Sequence, residues 1–83
     1  MIKEYATVLA SKMGVKLSKV HLVEGKTVGC IDAHTLMMAS RGCNVGIIIY
    51  QINLEEIEKG IVCDQLALRI IQALGRLQLM VEL

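Results

Sequence analysis

Apolar residues recur at helical intervals near both ends of the chain and gather into shorter, β-branched runs between them. Ile2, Tyr5, Ala6, Leu9 and Met13 share one face of a helix over residues 2–13, with Lys3, Glu4, Thr7, Ser11 and Lys12 on the other. Gly14 supplies its stop. Leu66, Ile70, Ala73, Leu74, Leu77 and Val81 repeat in the same way and predict a long C-terminal helix over 64–82. Gly75 is a weak point inside that helix, costing on the order of 1 kcal/mol.

Residues 15–23 are rich in aliphatic and β-branched side chains, and Glu24-Gly25 is a turn candidate before 26–31, so this stretch reads as a β-hairpin. Its alternation slips around Ser18-Lys19, which predicts a bulge or a change of burial face there. Asp32 stands as an N-cap before 33–41, where Ala, Leu and Met are frequent and Arg41-Gly42 supplies an end, so the stretch reads as a second helix. Val45-Gly46-Ile47-Ile48-Ile49-Tyr50 is too short and too β-branched for a helix and reads as a central or well-covered strand. Residues 54–59, ending at Gly60, read as a connecting loop or a single helical turn inside an insertion over 51–60. The predicted order is α-β-β-α-β-α. Helices must cover one face of the small antiparallel sheet, because a sheet of this size cannot bury itself. The expectation is one α+β domain over 1–83, with no repeat and no linker.

Composition narrows the function classes. With 83 residues, an apolar fraction of 54% and a net charge of +1, the chain is neither disordered nor a general polyanion binder. There is no Trp, Phe or Pro, and Tyr5 and Tyr50 are the whole aromatic content. The core is therefore aliphatic, and the stacking platform of a single-strand nucleic-acid binder is missing. Apolar runs are far shorter than the roughly 20 residues of a membrane span, and the start lacks the layout of a secretory signal, so a cytoplasmic protein without membrane contact is expected. The first 26 residues set five lysines against Glu4 and Glu24, a polarity expected to be a solvated face rather than a partner site.

Cys30, Cys43 and Cys63 match neither a zinc ribbon nor a redox pair, and buried free thiols are expected. A thiol- or zinc-dependent activity would draw on Cys30, His34 and Cys43. Phosphate loops, zinc-protease helices and nucleophile elbows are missing, so the chain reads as a non-enzyme with no cofactor and no metal.

The segment Gly25-Lys26-Thr27-Val28-Gly29-Cys30-Ile31-Asp32, with Leu36-Met37 after it and Leu77-Gln78-Leu79-Met80-Val81-Glu82-Leu83 at the end, resembles the histidine-containing phosphocarrier family, HPr, of the bacterial sugar phosphotransferase system. That family runs β-α-β-β-α-β-α, and the resemblance implies a divergent HPr-like member that begins at the first helix. The family's phosphorylated His precedes that helix and is followed by Arg and Pro. Here His21 would fall on the second-strand equivalent and His34 in the second helix, so phosphoryl transfer is not expected. Asp32 falls at the family's regulatory serine, where capping explains it better than imitation of phosphoserine.

The resemblance implies a non-catalytic binding or regulatory module, with a partner surface on the second helix at Asp32, His34, Met37, Met38 and Arg41. Without the family's first strand, the 45–50 strand becomes a sheet edge. A homodimer paired through Val45, Ile47 and Ile49 is the expected cover. The competing reading is a small-ligand-sensing α+β regulatory domain unrelated to HPr, with its ligand near 42–45.

Overall fold

The computed structural model describes residues 1–25, 29, 31–61 and 64–82. Its elements are α1 (Ile2–Lys12), β1 (Lys19–Val23), β2 (Ala33–Ser40), β3 (Cys43–Tyr50), α2 (Gln51–Glu58) and α3 (Asp64–Glu82). The three strands form an antiparallel meander in the order β1-β2-β3. The α+β class holds, and the element order is α-β-β-β-α-α.

Both amphipathic helices form where their periodicity places them. Ile2, Ala6 and Ala10 of α1 and Leu66, Ile70, Ala73, Leu74 and Leu77 of α3 are buried and join the inward side chains of the sheet in one cluster. Alanines at the contact face of α1 bring its backbone close to its neighbours. Leu36, Met38, Ile49, Leu66, Ile70, Leu74 and Leu77 are the largest fully buried side chains, so this core is aliphatic and sulfur-containing. Helix 51–58 completes two turns where a loop or a single turn was expected, and Leu54 and Ile57 lean on the core.

The second helix predicted over 33–41 is a strand, and this is the principal correction. Residues 33–40 alternate half-buried and buried along their whole length, with His34, Leu36, Met38 and Ser40 inward. As the central strand, β2 divides its backbone hydrogen bonds between two neighbours, a tertiary gain that outweighs the helix propensity of Ala, Leu and Met. Polar His34 and Ser40 at inward positions disguise the alternation. Ser40 is satisfied there, its hydroxyl donating to the Lys16 carbonyl at 2.7 Å. The helix-ending cue at Arg41-Gly42 is instead a two-residue hairpin loop, with φ of 49° at Arg41 and 83° at Gly42. Two consecutive positive φ values are what a type I′ turn requires.

Strand β1 pairs with β2, Val23 opposite Thr35, while most of the second arm of the hairpin expected between 15–23 and 26–31 falls on residues that are not described. Residues 26–28 and 30 lie outside the described residues. The slip at Ser18-Lys19 is present, since Ser18 N–H donates to the Ala39 carbonyl at 2.8 Å while Ala39 is also the register partner of Lys19. Asp32 caps no helix; it is exposed, and its carbonyl accepts from Gln51 N–H at 2.8 Å. No helix among the described residues is long and apolar enough to cross a membrane.

Gly75 sits mid-helix, and a methyl group built on its Cα meets nothing within 4 Å. Gly75→Ala is expected to stabilise the fold by about 0.5–1 kcal/mol, read as a higher urea midpoint at unchanged m-value.

Candidate functional site

Register assigns every strand residue to one of two faces. Residues opposite one another in an antiparallel pair point to the same side, so Val20 and Leu22 join Leu36, Met38, Val45, Ile47 and Ile49 beneath the sheet. The other face carries His21 and Val23 from β1, Thr35 and Met37 from β2, and Gly46, Ile48 and Tyr50 from β3. Ile48 and Tyr50 are each 50% exposed, and no described element covers them. His21 Nδ1 on this face is shielded from solvent with no hydrogen-bond partner. Gly46 leaves room for its neighbour: a Cβ there would lie 2.8 Å from Met37 Sδ. A glycine inside a strand run marks such a close approach.

The edge of this face is more specific than the face itself. The Arg69 guanidinium of α3 reaches the Ile48 carbonyl, which therefore points away from β2. Alternation then turns the backbone groups of Asn44, Gly46 and Ile48 outward and those of Val45, Ile47 and Ile49 toward β2. Tyr50 N–H, also outward, is taken by Asn53 Oδ1 at 3.0 Å. Arg69 stacks over the Tyr50 ring, 5.7 Å from its centroid, a contact worth roughly 0.5–1 kcal/mol at an exposed site. An open groove of about 560 Å³ follows the edge, with Arg69, Gln72 and Arg76 of α3 along one wall.

The expected partner surface at Asp32, His34, Met37, Met38 and Arg41 does not assemble. Met38 is fully buried, His34 faces the core, Met37 faces the opposite side, and Asp32 and Arg41 flank opposite ends of β2. Val45, Ile47 and Ile49 do lie on the edge strand, but their side chains enter the core and their backbone serves β2. The outward positions are the alternate ones, Asn44, Gly46 and Ile48.

His34 is a structural histidine. Gly25 N–H donates to Nδ1 at 3.0 Å, so Nε2 carries the proton and donates to Gln51 Oε1 at 2.6 Å. Both ring nitrogens are occupied, which removes the lone pair that a metal or a proton-transfer role needs. A hollow of about 320 Å³ opens beside it, lined in part by Ile2, Leu22, Glu24 and Leu54. Cys43, a free thiol, pairs with Ser40 at the far end of the ladder, roughly 20 Å from His34 at strand spacing. These two cannot share a zinc ion; Cys30 and Cys63 lie outside the described residues. A hollow bounded by Ser40 and Arg41, just before 42–45, holds about 170 Å³, under the roughly 300 Å³ at which small-molecule sites begin. The Glu4 carboxyl is held below its ordinary range by the hydrogen bond from the Met1 ammonium, an exposed contact remote from this edge.

Sequence reasoning missed Arg69, Gln72 and Arg76. Their spacing, three and then four residues along α3, was the available signal, since it puts them in one polar stripe beside the buried one. Comparison with protein families, curated proteins and solved structures finds no match for this chain.

His34→Leu leaves Gly25 N–H without its buried acceptor and is expected to cost about 2 kcal/mol in urea unfolding. Because His34 faces away from the groove, the variant should leave the backbone amide shifts of Gly46 and Ile48 unchanged.

Proposed function

We propose that this chain is a non-catalytic binding module that works by accepting a further β-strand along β3. The observation that carries the reading is the outward backbone of Asn44, Gly46 and Ile48, beside side chains that no described element covers. Unpaired N–H and C=O groups in a row give main-chain affinity, while the flanking side chains give selectivity. The incoming strand can belong to a second copy, extending the sheet across a two-fold axis, or to another protein. The free Cys43 thiol fits a reducing, cytoplasmic setting. The reading rests on the sheet edge and draws nothing from the resemblance to HPr, whose regulatory surface would need a helix where β2 runs.

The test is amide NMR of the labelled chain, first as its concentration rises and then with a short alternating Thr/Val peptide. Gly46 and Ile48 amides should shift and exchange more slowly under at least one of these conditions. Gly46→Pro removes an outward N–H while sparing the β2 ladder, and Met37 can swing aside for the ring. That variant should fold, with unchanged far-UV circular dichroism, and lose the response. Silence of both amides under both conditions overturns the proposal.

A further inference from the structure

We infer that the strand β3 accepts is an extended acidic segment of another protein, read by Arg69 and Arg76. This rests on the strand-accepting reading of β3 and names its partner. The groove beside the edge holds two guanidinium groups and Gln72, and no carboxylate among the described residues lines it. Arg69 and Arg76 are two helical turns apart on one face of α3, about 10 Å along the axis. Carboxylates two residues apart on an extended chain project to the same side about 7 Å from each other, within reach of two long, flexible arginines.

Arg69 gives the recognition its chemistry. Its guanidinium now donates to the Ile48 carbonyl, the place an incoming strand's N–H would take. Docking therefore displaces Arg69 from that oxygen and frees its guanidinium beside the arriving strand. An aspartate or glutamate on the arriving strand engages it through a charge-assisted pair, and the fork geometry of Arg favours a carboxylate. A strand without acids replaces the Arg69 bond at the Ile48 carbonyl with its own N–H but offers the released guanidinium no anion.

The same accounting disfavours a second copy. Strand β3 reads Cys43-Asn44-Val45-Gly46-Ile47-Ile48-Ile49-Tyr50 and contains no Asp or Glu to receive Arg69. A two-fold pairing centred on Gly46 to Ile48 brings the Arg69 groups of both copies to one seam, like charge against like. An arginine at the end of an edge strand thus discourages self-pairing while leaving the edge open to an acidic strand.

The experiment titrates the labelled chain with a short Thr/Val peptide carrying two glutamates two positions apart, and with the same peptide carrying glutamines. The acidic peptide should bind about tenfold more tightly, shift the Gly46 and Ile48 amides and the Arg69 side-chain Nε, and weaken as salt rises. Arg69→Gln with Arg76→Gln should abolish the difference between the peptides; both residues are on the surface side of α3, and circular dichroism confirms the fold. Equal binding of the two peptides overturns the acidic partner while strand acceptance stands. Concentration-dependent dimerisation through β3 with no peptide binding makes the occupant a second copy, with the same consequence. A short oligouridylate that outcompetes the acidic peptide at Arg69 and Arg76 also overturns it, and silence of the β3 amides throughout removes both readings.

Discussion

Strand β2 hands its backbone groups alternately to β1 and β3, and the rest of the structure depends on that division. A strand in the middle of a three-stranded sheet has both rows of N–H and C=O satisfied by protein, so its register is strongly held. Once it is held, parity sorts the side chains. His34, Leu36, Met38 and Ser40 go under α1 and α3, while Thr35 and Met37 go to the open face. The two polar residues sent inward each find a partner, His34 through Gly25 and Gln51 and Ser40 through Lys16. Those bonds tie the approach to β1 and the start of α2 to the central strand, so local order around the sheet follows from polar satisfaction as much as from apolar packing.

Among the described residues, helices cover only one face of the sheet. Helix α3 supplies most of the buried leucine and isoleucine beneath β3, and its axis runs close enough to the edge for Arg69 to wrap from the buried layer to the Tyr50 ring. A residue rooted in one layer therefore touches both the backbone and a side chain of the other. The guanidinium is flexible, strongly solvated when released, and bound to only one of the outward groups, so it guards the edge without closing it.

Much of this fold is legible in the sequence, for reasons that vary by element. The α3 stripe of Leu66, Ile70, Ala73, Leu74 and Leu77 is read directly from period, because a helix repeats its own geometry whatever surrounds it. The β3 run is read from β-branched residues. Strand β2 is not, since good helix formers occupy it, its inward polar residues break the alternation, and Arg41-Gly42 serves a helix end and a hairpin loop equally well on paper. The 45–50 run reads on its own residues as a central or well-covered strand, whereas it stands at the edge of the sheet, and which of its residues face outward depends on a one-residue parity fixed by pairing with β2. Arg69 lies 21 positions from Ile48 in sequence, and only the packing of α3 on the sheet brings them together.

The scarcity of aromatic residues has an optical consequence. With no tryptophan, the near-ultraviolet signal of the folded chain comes from two tyrosines, one on α1 and half-buried against the core, the other at the end of the edge strand under an arginine. The emission of Tyr50 is sensitive to the cation stacked on it, whereas Tyr5 reports on the core. The chain thus carries a spectroscopic dye at its own seam, in a background of one other emitter, and needs no label for events at the edge to be seen.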